Sequence, residues 1–356
     1  MATGVALTPA LDERAGAATP GRWRGRARRG ATSAAGALGA DDVTSLATGF
    51  CHQVFLHADE DEYLREMTTF IEEGVRGDEA VLVAVPVAKI DLLRRHLGQA
   101  ERDRVQFTDM AEMGANPARV MPAWADFARA NGGRRLRGVG ELIWAQRPAD
   151  EVVECQRHEA LLNVAFADHP RLTLLCSYDT AALRPGVVAE ALRTHPIVRL
   201  AGRPPAESPH YPGARRLGRP FSAPLSEPPA GASSMDFDAA SLSLVRSFVW
   251  HEAMDGGLGE QRASDALLAV NEAGTNSVRH GGGHGTLLSW PAAGAVIFEA
   301  RDRGRMYDPL AGGTRPPPDR VDGRGLWMMN QLCDLVQIRS FTTGTTVRLH
   351  LRPHPA

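Results

Sequence analysis

The sequence predicts two folded domains: an N-terminal α/β domain with a mostly parallel sheet, and a C-terminal domain that mixes helices and strands. The chain has 356 residues, which is more than a single domain usually holds. From Ala47 to about Gly202, apolar runs typical of strands alternate with helical patterns. Strands separated by helices favour a parallel sheet that is covered on both faces.

The elements of the α/β domain follow one another in a regular order. We predict helices over about 60–75, 89–97, 117–130, 151–167 and 180–193, and strands at AVLVAV, RVQF, RLRGVGEL and LTLLCSYD. Ligands of parallel sheets bind beyond the carboxyl ends of the strands. We therefore expect any small-molecule ligand of this domain at those ends, which carry Pro86, Asp109, Glu141, Trp144, Tyr178 and Asp179.

Composition divides the chain into four segments. Residues 1–44 are rich in Ala, Gly and Arg without apolar periodicity, so we expect a disordered tail. Residues 45–202 form the α/β domain. Residues 203–234 are Pro-rich and aperiodic, which predicts a linker whose stiffness holds the domains apart. Residues 235–353 form the second domain.

Charge and hydropathy exclude several classes of protein. A net charge of −2 gives no overall attraction to nucleic acid. No apolar run approaches the roughly 20 residues that span a bilayer, so we expect no membrane segment. Since we also find no secretory leader, we expect a cytoplasmic protein.

Cysteine and lysine usage exclude two kinds of site. The four cysteines, at 51, 155, 176 and 333, show neither CxxC nor a His spacing typical of zinc sites, so we expect reduced thiols. The only lysine, Lys89, is not part of a Gly-Lys-Ser/Thr sequence. This excludes a Walker A loop, so a phosphate site in this chain cannot depend on lysine.

The first chemical motif is NEAGTNSVRHG, which starts at Asn271. Glu272 and Asn276 are four residues apart in an apolar-periodic run, so both face the same side of a helix. An amide oxygen is a hard ligand that suits Mg²⁺, and a neighbouring carboxylate can accept a proton. The pair is therefore typical of phosphoryl transfer.

The second motif is DGRGLWMMNQLCD, in which Gly323 and Gly325 precede a helical run. The unpaired amides and positive dipole at the start of a helix favour an anion. We expect phosphates at this turn, beside Gly323, Arg324, Gly325 and Leu326. Between the motifs, Asp302 ends an apolar strand and can accept from an exocyclic amine of adenine. Gly304 follows, where a flat base can approach the backbone.

The order of these motifs resembles the GHKL ATPases, whose fold is a two-layer α+β sandwich of the Bergerat type. The resemblance covers residues 235–351 and is closest to the anti-sigma factor serine/threonine kinases. It implies ATP and Mg²⁺ as cofactors, with Glu272 activating the attacking hydroxyl, Asn276 binding Mg²⁺ and Asp302 holding adenine. Glycines 304, 323 and 325 are expected to contact nucleotide through their backbone.

Two further positions matter to the resemblance. The family places a Thr near the adenine pocket in its last strands, and either Thr345 or Thr346 matches it. The family's Asp-x-Gly-x-Gly pattern has a second glycine where this chain has Met306. Nucleotide binding is therefore expected more firmly than catalytic turnover.

The resemblance implies an anti-sigma regulatory serine/threonine kinase. Such a kinase phosphorylates an antagonist of the STAS type (an anti-anti-sigma protein) and controls a sigma factor, and it is often a homodimer. A sensor histidine kinase is one alternative, with His251-Glu252 as its candidate acceptor sequence. A regulatory module that binds nucleotide without phosphotransfer is another. No direct contact with nucleic acid or membrane is expected.

The N-terminal domain resembles the MEDS sensory domains, which are RecA-like but lack a phosphate loop. The resemblance rests on GFCHQVFLHADEDEYL, FIEEGVRGDEAVLVAV, FTDMAEMGANPARVMPAW and LLCSYDTAAL. It implies a sensory input, with a small molecule as the expected ligand. The family's His-x-Cys signature reads His52-Gln53-Val54 here, so its cysteine is absent. Because Cys51 and His52 point to opposite faces of a strand, we expect no metal between them.

Overall fold

The structure, a computed structural model, describes most of the chain from residue 50 onward. The described ranges are 50–169, 171–214, 223–292, 294–316 and 323–353. The predicted tail at 1–44 lies outside them, as do parts of the predicted linker and of the segment between Leu310 and Asp322. Among the described helices, none has the length and apolar character needed to cross a membrane.

The N-terminal part contains a seven-stranded sheet whose order is β3-β2-β4-β5-β1-β6-β7. All neighbouring strands pair in parallel except β6 and β7. The strands are β1 Cys51–His57, β2 Ala80–Val85, β3 Val105–Asp109, β4 Leu136–Gly140, β5 Leu172–Asp179, β6 Ile197–Leu200 and β7 Ala206–Glu207. The predicted mostly parallel α/β fold is confirmed.

Seven α-helices and one 3-10 turn (Pro117–Arg119) cover the two faces of this sheet in the described residues. The helices are α1 Glu60–Arg76, α2 Val87–His96, α3 Gln99–Arg104, α4 Met110–Met113, α5 Val120–Ala130, α6 Ala149–Ala165 and α7 Pro185–Thr194. One apolar cluster fills each side of the sheet. Strand β2 is buried at all its positions, because helices lie on both sides of it.

Local chemistry explains where two of these helices start. The Asp59 side chain caps α1 by accepting from the backbone N–H of Glu62 at 2.8 Å. Helix α7 starts later than the predicted residue 180, because the Asp179 carboxylate accepts from the N–H groups of Ala181 and Ala182 and holds a turn there. The helix then begins at Pro185, whose missing N–H costs nothing at this position.

The C-terminal part contains a five-stranded antiparallel sheet with the order β11-β12-β10-β9-β8. Its elements are β8 Ser233–Asp238, α8 Leu242–Asp255, α9 Glu260–His280, β9 His284–Ala292, β10 Ala295–Asp302, α10 Arg324–Leu332, β11 Leu335–Phe341 and β12 Gly344–Leu351. The three helices pack on one face around an apolar cluster that includes Val270, Phe298 and Met329. The predicted α+β two-layer arrangement is confirmed.

The opposite face of this sheet carries a buried ion-pair network beside a small apolar cluster that includes Trp290 and Ile297. Glu299 is fully buried and accepts from Arg301 and Arg348, each at 2.6 Å. In the described part of the Pro-rich segment, the carbonyl of Ser226 accepts from Arg348 at 2.5 Å. Arg339 likewise donates to the carbonyl of Ala223 at 3.1 Å.

The expectation that the Pro-rich segment holds the two parts of the chain apart is wrong. Arg339 of β11 pairs with Glu154 of α6 at 2.6 Å, and both side chains are nearly fully buried. The two parts of the chain are therefore in direct contact.

Candidate functional site

A cavity of about 270 Å³ opens between α9, α10 and the ends of β10 and β12. Its size is close to the lower end for small-ligand sites. Its lining residues are Ala273, Asn276, His280, Gly281, Asp302, Gly304, Arg305, Met306, Gly323, Gly325, Leu326, Thr345 and Val347. The predicted motifs therefore meet at one place, although Glu272, Arg324 and Thr346 are not among the lining residues.

Glu272 and Asn276 lie on one side of α9, where they face the start of α10. A Cβ atom on Gly325 would be 2.5 Å from Oε2 of Glu272 and 3.5 Å from Nδ2 of Asn276. A side chain at position 325 would therefore displace the Glu272 carboxylate from the start of α10. The carboxylate of Glu272 lies directly behind the turn, and the amide of Asn276 faces the cavity.

Two hydrogen bonds hold the Asp302 carboxylate in place at the end of β10. Its Oδ2 accepts from the Ser277 hydroxyl at 2.7 Å, and its Oδ1 accepts from the backbone N–H of Gly304 at 2.7 Å. A carboxylate oxygen can accept more than one hydrogen bond. Asp302 is thus fixed in orientation and can still accept from a ligand in the cavity.

Gly304 packs against the end of α9. A Cβ atom there would lie 2.5 Å from the carbonyl oxygen of His280 and 2.8 Å from Cα of Gly281. A side chain at position 304 would push the two segments apart, because these neighbours are backbone atoms. The floor of the cavity is therefore backbone that a flat group can approach closely.

The position of Thr345 distinguishes it from its neighbour in the sequence. Thr345 is buried, lines the cavity and donates from its hydroxyl to the carbonyl of Gly304 at 2.9 Å. Thr346 is the next residue of β12, so its side chain points to the opposite face of the sheet. The structure therefore places Thr345 at the cavity.

Helix α10 begins at the cavity. Gly323 precedes it with φ of 86°, a left-handed conformation that favours glycine, and within the described ranges no side chain caps the helix start. The first N–H groups of a helix have no partner within it, and the dipole makes this end positive. The turn formed by residues 323–325 can therefore attract an anionic group.

Met306 takes the place of the family's second glycine without backbone strain. Among the described residues, Asp78 is the only non-glycine residue with positive φ. The N–H of Met306 donates to the Ser340 hydroxyl at 2.8 Å, and that hydroxyl is 2.8 Å from Oγ1 of Thr345. The backbone at 306 therefore has no need of glycine here.

Three polar residues at the cavity were not predicted from the sequence. Ser277 follows Asn276 on α9 and reaches Asp302 at the end of β10. A single serine in a helix is a weak signal of a functional site. His280 and Arg305 line the cavity and bring basic groups to it. His280 is near the end of the first motif, and Arg305 directly follows Gly304. Their position in or beside a motif is the only signal for them in the sequence.

Comparison with known families agrees with this geometry. Residues 51–196 match the family described as MEDS, the methanogen/methylotroph DcmR sensory domain. Residues 235–351 match the histidine kinase-like ATPase domain. The chain joins a MEDS domain to a histidine kinase-like ATPase domain. A domain of this kind implies ATP binding, so this part of the chain is a kinase-like, nucleotide-binding domain.

Other comparisons add little to the family match. No curated protein matches the chain. One similar solved structure contains the RsbU and RsbW domains of Rv1364c from Mycobacterium tuberculosis, with 21% identity and a TM-score of 0.28. The match covers 36% of this chain and 34% of that chain. At this level of similarity, that structure carries no argument about the present protein.

The MEDS domain contacts the ATPase domain at the C-terminal end of α10. Arg119 donates to the carbonyl oxygens of Asn330, Gln331 and Cys333 at 2.8–3.1 Å. Asn116 donates to two of the same oxygens, those of Asn330 and Cys333, at 3.1 and 3.2 Å. The last carbonyls of a helix need partners and favour a cation. The MEDS domain therefore caps a helix of the ATPase domain.

Two ion pairs from α6 of the MEDS domain complete the contact. Glu154 pairs with Arg339, and Glu151 pairs with Arg352 at 2.5 Å. A small cavity of about 60 Å³ lies beside them, lined by residues of both domains that include Met306. Met306 also lines the larger cavity, so one side chain lies between that cavity and the domain contact.

Proposed function

We propose that the protein is an ATP-dependent serine/threonine protein kinase of the anti-sigma regulatory type. Its substrate is a STAS-type antagonist, and its action controls the availability of a sigma factor. The observation that supports this best is the meeting of Asn276, Asp302 and the turn at 323–325 around one cavity, with Glu272 beside that turn. A homodimer remains a prediction.

The residues of the cavity suit the parts of ATP. Asp302 would accept a hydrogen bond from the adenine amine, with the base lying over the backbone of Gly304. The turn at 323–325 would donate to the phosphates. Asn276 would hold Mg²⁺, which neutralises phosphate charge when bound.

Glu272 would act as the general base. It takes the proton of the substrate serine hydroxyl while that oxygen bonds to the γ-phosphorus and the bond to the bridging oxygen of ADP breaks. The carboxylate is half-buried beside Gly325, close to the turn that would hold the phosphates. This position separates the base from the adenine end of the site.

The MEDS domain would regulate the kinase through α10. This helix of nine residues starts at the proposed phosphate turn and ends at the carbonyls that Arg119 and Asn116 cap. Its length is about 13 Å at 1.5 Å per residue. Any movement of the MEDS domain against the helix end would therefore shift the turn at its start, which couples the two sites through one rigid element.

The experiment is phosphotransfer from γ-labelled ATP with Mg²⁺ by the full-length protein. Candidate STAS-type antagonists from the same genome are tested as substrates, beside Asn276→Ala and His251→Gln. His251 is exposed on α8 and pairs with Asp255 at 3.1 Å. It is the acceptor that a histidine kinase would require.

The label distinguishes three outcomes. Acid-stable label on an antagonist serine, lost in Asn276→Ala and kept in His251→Gln, would support the proposal. Acid-labile label on the protein itself, lost in His251→Gln, would replace it with a histidine kinase. Binding of ATP without transfer to any partner would leave a regulatory nucleotide-binding module.

A further inference from the structure

Four buried side chains of the MEDS domain meet on one side of its sheet, far in sequence from one another. They form what we call the His/Glu/Cys cluster: His52 of β1, Glu159 of α6, Cys176 of β5 and His195, which follows α7. Their ligand atoms all lie within 4.8 Å of one another, and each residue is at most 3% exposed. Nitrogen, sulfur and oxygen donors thus converge on one point.

Four of the six distances between the ligand atoms are close to the edges of a tetrahedral metal site. Oε2 of Glu159 is 3.2 Å from Nε2 of His52, 3.6 Å from Nε2 of His195 and 3.6 Å from Sγ of Cys176. Nε2 of His52 is 3.4 Å from the same sulfur. Bonds of about 2.0–2.3 Å to Zn²⁺ give tetrahedral edges of about 3.3–3.8 Å.

Hydrogen bonds on the far side of each imidazole leave Nε2 as the ligand atom. Nδ1 of His195 lies 2.8 Å from the carbonyl of Ala191, which can only accept, so Nδ1 carries the proton. Nδ1 of His52 lies 3.2 Å from Oδ1 of Asn163, whose amide nitrogen donates to the carbonyl of Thr194. Such outer partners orient histidine ligands of metals.

The cluster has too few protons for its acceptors. Two imidazole lone pairs and the Glu159 carboxylate face a single donor, the Cys176 thiol, and Nε2 of His195 has no hydrogen-bond partner. In the described part of the chain, no arginine or lysine pairs with Glu159.

We propose that the His/Glu/Cys cluster is a closed binding site for a divalent transition metal, with Zn²⁺ as the best match. Two neutral imidazoles with one carboxylate and one thiolate would balance the charge of the ion, which a buried site requires. Uptake releases the thiol proton of Cys176 to solvent. Four protein ligands leave no open position, so the site is structural and does not catalyse a reaction.

The test uses the full-length protein after removal of metal with a chelator. Co²⁺ is added to the protein of natural sequence and to its Cys176→Ala and Cys155→Ala variants. Cys155 is the matched control, since it is also fully buried on α6 but lies outside the cluster. We expect one Co²⁺ per chain, with tetrahedral visible bands and a thiolate-to-cobalt band that Cys155→Ala keeps and Cys176→Ala loses.

If the Cys176→Ala variant fails to fold, X-ray absorption of the zinc-loaded protein of natural sequence tests whether a cysteine sulfur binds the ion. The site predicts one sulfur at about 2.3 Å and three nitrogen or oxygen atoms at about 2.0–2.2 Å from zinc. A zinc shell without sulfur, or a thiolate band that survives in Cys176→Ala, would overturn the proposal. So would uptake well below one ion per chain, which would leave the cluster as a hydrogen-bonded network.

Discussion

The ATPase cavity and the His/Glu/Cys cluster of the MEDS domain differ in how they treat their polar groups. In the cavity, Asp302 and Asn276 face open space and keep capacity for a ligand that comes and goes. In the cluster, the four ligand atoms lie within 4.8 Å of one another, and none of the four residues is more than 3% exposed. The open cavity therefore suits a ligand that binds and dissociates, whereas the closed cluster suits the metal ion that we propose, which would stay bound.

The largest expected effect tests whether the open site performs chemistry as well as binding. We expect Glu272→Gln to reduce phosphotransfer about 10²–10⁴-fold, because the amide cannot take the serine proton. Nucleotide affinity should change little. Glu260→Gln is the control, since Glu260 is exposed in the first turn of the same helix. Single-turnover transfer and nucleotide titration measure the two effects, and equal loss in both variants would contradict the role of Glu272.

A second prediction tests whether the closed site contributes to stability. Zinc at about 1,000 times its Kd should raise the free energy of unfolding by about 4 kcal/mol, because it binds only the folded chain. The same addition should not stabilise Cys176→Ala. Denaturant unfolding with zinc and with chelator measures the difference, and equal stability in both conditions would remove the contrast between the two sites.

The third prediction concerns the contact between the domains. Arg119→Ala should lower the free energy of unfolding by about 2–3 kcal/mol, because buried carbonyls at the end of α10 lose a charged donor. Nucleotide affinity should change as well, since α10 begins at the cavity. Arg129→Ala is the control, because Arg129 is exposed and pairs only with the nearby Asp126 in the described residues. An unchanged nucleotide affinity in Arg119→Ala would refute coupling through this helix.

The fourth prediction concerns pH. Burial, which Arg348 and Arg352 reinforce and the Asp150 carboxylate opposes, lowers the pKa of His350 to about 4 from an ordinary 6.5. Between these values the unfolded chain binds the proton and the folded chain does not, so stability falls as pH falls from 6.5 toward 4. From pH 7 to pH 5 this histidine alone should cost at most about 2 kcal/mol.

The measurement for His350 is the difference in unfolding free energy between pH 7 and pH 5. His350→Gln should lose less stability over this range than the natural sequence does. His251→Gln, which changes an exposed histidine, should behave like the natural sequence. If His350→Gln retains the full loss, the pKa of His350 is not lowered by folding.

The smallest expected effect is a difference in nucleotide affinity between variants of the neighbouring Thr345 and Thr346. Thr345→Val should weaken nucleotide binding by about 1 kcal/mol, because the hydroxyl that holds the Gly304 carbonyl is lost at the cavity. Thr346→Val should leave binding unchanged. Nucleotide titration of both variants decides between them, and a larger effect at 346 would reverse the assignment.

Much of the fold could be predicted because its signals are local. Strands β2 and β5 were predicted at their observed bounds, since buried parallel strands are continuous apolar runs. The start of α7 was missed because the turn at Asp179 depends on side-chain hydrogen bonds. The residues around the cavity were found because they occur in short motifs.

The remaining features depend on contacts between distant segments. Nothing near Arg119 in the sequence indicates that it caps a helix some 200 residues later. The sequence predicts an ordinary reduced thiol at Cys176, because no histidine lies near it in sequence. In the sheet, however, Cys176 is paired with Val54 of β1. Strand pairing and helix packing, which a single sequence does not encode visibly, bring these groups together.

Calorimetric titration of the full-length protein with Mg²⁺ and ATP tests most directly whether the cavity is a nucleotide site. We expect one ATP per chain and at least about tenfold weaker binding, or 1.4 kcal/mol, in Asp302→Asn. Asp236→Asn, on the edge strand β8, should bind like the natural sequence. Absence of binding, or equal affinity in all three proteins, would contradict the assignment of the cavity to ATP.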